Sequence, residues 1–227
     1  MDDISAVERG DSLSQQVYDQ LRLALIRGAY RPGEQLTIRM LAKQMNVSPT
    51  PAREALNRLA AEGALEFGAN RSLWVPVLEE KRIRELYAIR AALEEQLVRA
   101  AFARLGDAQL QALEDCLAAR EAALDEQRFR QALELNMEFS FIIFRAADLP
   151  ITLRIIEGIW LLAGPTMNLF YPELAVDRLG IELHKQQLEA IRAGELERCL
   201  HYMRKEDAGV EVIVQKLAAL ALDGKTA

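Results

Sequence analysis

Apolar residues recur at helical spacing near the start of the chain. Leu13, Val17, Leu21, Ala24 and Leu25 share one face, and Gly28 follows as a stop. The stretch AYRPGEQL breaks the pattern at Pro32-Gly33, and a second helix is predicted to open at Leu36 and Ile38 and run through Met40, Leu41 and Met45. Asn46 offers a tight reversal. A run of good helix formers then carries Ala52, Leu56, Leu59 and Ala60 on one stripe, as far as Gly63. Beyond Gly63 the period shortens. Ala64–Phe67 and Leu73–Val77 are short β-type runs around the turn GANRS, where Gly68 and Asn70 tolerate positive φ. Three short helices and a two-stranded ribbon predict a winged helix-turn-helix.

From Glu79 onward every segment reads as helix. Breaks fall at Gly106-Asp107, near Gln127–Arg130, at Leu149-Pro150, at Gly164-Pro165, around Pro172 and at Ala193-Gly194. Six or seven helices in an antiparallel all-α bundle are expected, with Pro76-Val77-Leu78 as the join. The fold class is therefore mostly α, with residues 1–78 forming the winged helix-turn-helix and 79–227 the bundle.

Composition agrees with helices. Hydrophobic residues make up 51% and aromatics only 6%, whereas a sheet protein would need more Val, Ile, Thr and aromatics. No apolar run reaches the roughly 20 residues of a membrane span. The opening MDDISAVERGDS is too acidic and polar for a signal peptide. Cys116 and Cys199 lie in no CxxC or Cys/His cluster, and reduced thiols in a cytoplasmic protein are expected.

Charge changes the picture more. The net charge is −6, yet residues 1–78 carry nine basic and nine acidic side chains, so the whole excess lies in 79–227. Within Gln35–Ala60 the charged residues are Arg39, Lys43, Arg53 and Arg58 against Glu54 alone. An acidic body with a small basic head suits a DNA-reading module joined to a regulatory one.

The segment NVSPTPAREALNRLAAEG sharpens this. Proline is tolerated in a helix's first turn, where its missing N–H would have no partner. Thr50, preceding Pro51, is expected to be extended and to cap the helix. Thr50, Arg53, Glu54 and Asn57 point away from the buried stripe. Arg can read guanine bidentately, and Ser48 and Thr50 can donate to phosphate oxygens. Taken alone, the segment fits a capped surface helix as well. The helix before it and the ribbon after it favour DNA.

The run from LSQQVYDQLRLALIRGAYRPGEQL through IRMLAKQMNVSPTPAREALNRLAAEGALEF to NRSLWV resembles the DNA-binding domain of GntR-family transcriptional regulators. LYAIRAALEEQLVRAA and HKQQLEAIRAGELERCLHYMRKE resemble the helical FCD effector domain of the FadR-type subfamily. The resemblance implies a homodimer on a palindromic double-stranded DNA operator, with DNA affinity set by a small metabolite, often a carboxylate. By matching position it places Arg39, Ser48, Thr50, Arg53, Asn70 and Arg71 at DNA. Pro49 departs from the pattern, since many members carry a basic residue there.

In the bundle, polar residues fall on apolar stripes. Glu206 sits in the run Cys199, Met203, Val210, Ile213, Leu217 of what reads as one last helix. Asn136 and Ser140 interrupt Phe129, Leu133, Ile143, Ala147; His184 shares a face with Ile181, Leu188 and Ile191; Arg90 lies between Tyr87 and Glu94. A buried polar group costs about 1–3 kcal/mol without a partner, so a shared effector cavity is the economical reading. Many FCD domains hold a divalent metal through one Asp and three His. The matching positions here are Asn136, Ser140, His184 and Glu206, which leaves room for at most a weakly held Mg²⁺ or Ca²⁺ and no required cofactor. Arg90 would supply the positive charge for an anionic ligand. His201 lies off the seam and reads as a surface histidine. The competing function is a helical enzyme with His184 and Glu206 as acid and base. No nucleophile–base pair, phosphate loop or HExxH accompanies them.

Overall fold

Helix α1 (Leu13–Ile26) buries the stripe Val17, Tyr18, Leu21, Leu25 and Ile26, while Leu13 stays exposed. Gly28, at φ +67°, ends it. Thr37 caps α2 (Ile38–Gln44) by accepting from the Met40 N–H at 3.2 Å. Asn46, at φ +53°, turns the chain into α3 (Pro49–Ala61). The computed structural model describes residues 12–68, 72–170, 178–207 and 209–223.

The sheet has three strands among the described residues, not two. β1 (Gln35–Leu36), β2 (Glu66–Phe67) and β3 (Leu73–Trp74) form an antiparallel sheet in the order β1-β3-β2. β1 pairs Gln35 with Trp74 and Leu36 with Leu73, and the Gly33 N–H extends the ladder by donating to the Val75 carbonyl. A two-residue strand between two turns carries no readable alternation, so sequence pattern gives no sign of it. Gly68 serves by its small size and not through a positive φ, because a Cβ there would collide with the Trp74 indole.

The remaining α-helices are α4 (Glu80–Ala101), α5 (Asp107–Asp125), α6 (Phe129–Ala146), α7 (Pro150–Ala163), α8 (Leu179–Arg192), α9 (Leu196–Asp207) and α10 (Val210–Asp223). The apolar run over residues 199–217, which reads as one helix, is two. Gly209 lies between them, and its weak helix propensity permits the break. α4 runs through the middle, packing against α6, α7, α9 and α10, while α5 packs on α6 and α8. One core cluster joins Ile83, Leu86 and Tyr87 of α4 to Ile213, Val214 and Leu217 of α10.

The chain divides into two compact units. One comprises residues 1–24 and 33–76; the other comprises 25–32 and 77–227. Within the second, the Asn168 amide donates to the carbonyls of Gly28 at 2.6 Å and Tyr30 at 2.9 Å.

Candidate nucleic-acid interface and effector pocket

The first turn of α3 differs from expectation. Ser48 is the N-cap residue, extended at φ −71°, ψ 162°; Pro49 opens the helix and Thr50 lies inside it. The pre-proline restriction acts on Ser48 before Pro49, and Thr50 is held helical although Pro51 follows it. Ser48 makes no side-chain cap bond, which leaves its hydroxyl available. Pro51, Ala52, Ala55, Leu56 and Leu59 are buried, whereas Arg39, Ser48, Thr50, Arg53, Glu54 and Asn57 are exposed. Asn70 and Arg71 lie outside the described residues.

The basic residues of α2 and α3 fall into two groups. Arg58 stacks on the Tyr18 ring at 3.6 Å, donates to Gln15 and pairs with Glu62. Arg39, Lys43 and Arg53 are exposed and have no partner among the described residues. In the bundle, Arg84, Arg99, Arg104, Arg145, Arg192 and Arg204 face carboxylates, whereas the exposed Arg82 and Arg154 have no partner among the described residues.

The bundle holds a partly open cavity of about 320 Å³, with Arg90, Arg120, Asn136, Lys205 and Glu206 among its polar lining residues. Its apolar wall includes Met167, Leu179, Leu183, Val210 and Val212. Of the residues singled out in the sequence, Arg90, Asn136 and Glu206 line the cavity. His184 and Glu94 stand behind it, each bonded to a lining residue. Ser140 is half-buried and does not line it. His201 is exposed.

Arg120 is the pocket residue that sequence reasoning missed. It falls on the α5 stripe with Leu113, Cys116, Leu117 and Leu124, and an arginine at such a position was a readable signal. Lys205, Met167, Leu179, Leu183 and Val212 were missed too, whereas Val210 lies on the stripe already read through Glu206.

Arg90 is already engaged. Its Nε donates to Glu94 at 2.9 Å, and its guanidinium lies 4.9 Å from the Tyr87 ring centre and 4.7 Å from that of Trp160. Trp160 also donates to Glu94 at 2.8 Å. Burial pushes the Glu94 carboxyl up, against the pull of Arg90 and the Trp160 N–H.

At the other side, Arg120 Nη1 donates to Nδ1 of His184 at 2.9 Å and to the Gly180 carbonyl at 3.3 Å. His184 Nε2 faces the Glu206 carboxylate at 3.1 Å. The ring stacks on Phe139 with centres 4.0 Å apart. Burial, the largest cause, holds the His184 pKa below its ordinary value. Burial alone would raise the Glu206 carboxyl, but the facing His184 ring, its hydrogen bond and the charges of Arg90 and Arg120 outweigh it and bring it down to about 2.

These residues do not fit a tightly held transition metal. Nδ1 of His184 is engaged by Arg120, Nε2 carries the proton that meets Glu206, and a guanidinium stands where a cation would approach. No group of three or more His, Cys, Asp or Glu with metal-ligating geometry occurs among the described residues. Cys116 and Cys199 are buried, with thiol pKa values pushed up by burial to about 11 and about 12, too high for nucleophiles.

Residues 13–75 match the family of bacterial regulatory proteins named gntR, and residues 85–205 match the FCD domain. The chain belongs to the GntR family, with an FCD effector domain. Its relatives agree. The HTH-type transcriptional regulator McbR of Escherichia coli K12 is 31% identical over 211 residues, covering 92% of this chain and 93% of McbR. The Nta operon transcriptional regulator of Aminobacter aminovorans is 41% identical over 112 residues, covering 49% of this chain and 53% of that protein. The solved structure of E. coli McbR/YncC superposes with a TM-score of 0.77 at 30% identity, covering 93% of this chain and 98% of that one. This GntR protein is thus a ligand-responsive DNA-binding transcriptional regulator and not an enzyme. Among the described residues, no helix is long and apolar enough to cross a membrane.

Proposed function

We propose that this regulator is a cytoplasmic repressor that binds a palindromic operator as a homodimer, its DNA affinity changed by a small carboxylate in the bundle cavity. The reading of operator DNA by α2 and α3 rests on one observation. Arg39, Lys43 and Arg53 present unmatched positive charge together on the two helices of the turn motif, while most exposed arginines of the bundle, Arg82 and Arg154 excepted, are matched by carboxylates. Arg53 would read a base edge, Arg39, Ser48 and Thr50 would hold phosphates, Asn57 would extend the same face, and Asn70 with Arg71 would add wing contacts.

The dimer reading rests on affinity and on surface. One short helix and a wing tip give a single half-site little binding energy, and joining two heads makes the second contact nearly intramolecular. Ile89 of α4 and Ile151 and Ile155 of α7 are exposed on two helices that pack together, an apolar face that a second copy would cover.

The test is retardation of duplexes that the full chain selects from a random pool. Recovery of an inverted repeat, with light-scattering mass of two chains in solution, is the expected result. Selection of no sequence, or a single chain at micromolar concentration, contradicts the reading.

A further inference from the structure

We infer that Arg120, and not Arg90, anchors the ligand's anionic group, and that the ligand is a monocarboxylic acid with an apolar body. This rests on the proposed effector function and deepens it. Arg120 is 5% exposed, and both of its hydrogen-bond acceptors, the His184 ring and the Gly180 carbonyl, are neutral. Its Nε has no partner, and no carboxylate pairs with it, among the described residues. The nearest carboxylate, Glu206, reaches this buried guanidinium only through the His184 ring, a costly arrangement that an incoming carboxylate in direct contact relieves with charge-assisted bonds. Arg90 Nη1 likewise makes no hydrogen bond among the described residues, and the difference lies in the charge, since Glu94 already answers Arg90 directly at 2.9 Å.

Two further features are built around Arg120. Gly180 makes room for it, since a Cβ there would meet Arg120 Nη2 at 3.0 Å. Asn136, 4% exposed and without a hydrogen bond among the described residues, lines the same cavity and can donate to the second carboxylate oxygen. The rest of the wall admits little else that is polar. Apart from Tyr87 and Glu206, Arg90, which Glu94 holds, and Lys205, which is exposed, it is lined by Leu179, Leu183, Met167, Val210 and Val212, against which a second carboxylate or a row of hydroxyls would find no partner. A single carboxylate on a medium-length chain or one aromatic ring satisfies both ends.

The experiment titrates the full chain by calorimetry with butanoate, octanoate, benzoate and octanedioate, and repeats it with Arg120→Met and Gly180→Ala. Octanoate or benzoate is expected to bind the parent saturably, octanedioate more weakly. Arg120→Met should lose about ten- to a hundredfold in affinity, the worth of a charged hydrogen bond, without lowering the melting temperature of the ligand-free protein. Gly180→Ala, which keeps the charge but crowds the guanidinium, should also lose affinity and guards against misfolding of the first variant. Unchanged octanoate and benzoate binding in Arg120→Met overturns the anchor. Preference for octanedioate, or binding of no acid in the series, overturns the apolar-bodied monoacid. DNA retardation run in parallel separates the two levels: a chain that retards its selected duplex but takes none of these acids remains a regulator and refutes only this inference.

Discussion

Arg120 Nη1 and His184 Nδ1 lie 2.9 Å apart, and this contact decides where the imidazole proton sits. A guanidinium can only donate, so Nδ1 must offer a lone pair. The ring is therefore neutral, with its proton on Nε2 toward Glu206 at 3.1 Å. Arg120 and Glu206 are polarised toward each other through one histidine.

That tautomer predicts a pH dependence. The His184 pKa lies below its ordinary 6.5 in the folded chain, chiefly through burial. As pH falls below about 6.5 the unfolded chain takes up a proton that the folded chain refuses, so stability drops. His184→Gln keeps an acceptor for Arg120 and a donor for Glu206 but cannot titrate. Melting temperatures from about pH 7 to about pH 5 should fall less steeply in the variant than in the parent. Equal slopes would show that His184 is not held neutral.

Arg53→Ala should weaken binding to the selected duplex by about 1–3 kcal/mol and relax sequence preference at the base it meets. Because Arg53 is exposed and bonds to nothing among the described residues, the melting temperature should not move. Fluorescence anisotropy with circular dichroism checks both. Parental affinity in the variant would remove α3 from the interface.

Ser48→Ala separates capping from DNA contact. Replacing a bonded N-cap serine costs typically about 1 kcal/mol of stability. The Ser48 hydroxyl makes no cap bond, so the variant should melt with the parent while binding every duplex more weakly. A lowered melting temperature with unchanged DNA affinity would reverse the assignment.

Gly164→Ala tests packing inside the bundle unit. An added Cβ would stand 2.5 Å from the Ile26 carbonyl oxygen and nearer still to that of Leu25. Backbone cannot step aside as a side chain tip can, and a loss of about 1–3 kcal/mol is expected. A urea midpoint matching the parent's would mean the segment yields freely.

Most helices of both units were legible because their apolar positions recur strongly and their ends carry Gly, Pro or Asn, but the break between α9 and α10 was not, since the apolar stripe runs on across it. Gly28 and Asn46 do turn the chain with positive φ. Strand β1 was not legible, since two residues show no period and its pairing with Leu73 and Trp74 is long-range. In the pocket, the stripe argument located Asn136, Arg90 and Glu206 because a polar side chain on an apolar face must find a partner or a wet cavity inside the bundle. It misjudged Ser140, whose small hydroxyl is tolerated half-buried without facing the cavity. It passed over Arg120 although the same logic applied. That Arg90 would be matched by Glu94 follows from their spacing of one helical turn, yet that Arg120 has no such neighbour could only be seen once α5 and α8 were set side by side.

Residues 25–32 belong with the bundle although they precede most of the DNA-reading unit in the chain. The polypeptide therefore crosses between the units three times, after residues 24, 32 and 76. A fragment ending at residue 78 would carry residues 25–32 away from the unit they belong to. Anyone grafting this sensing unit onto another DNA-reading head would have to splice at two internal seams as well as at the familiar one, and a single-cut chimera should be expected to aggregate.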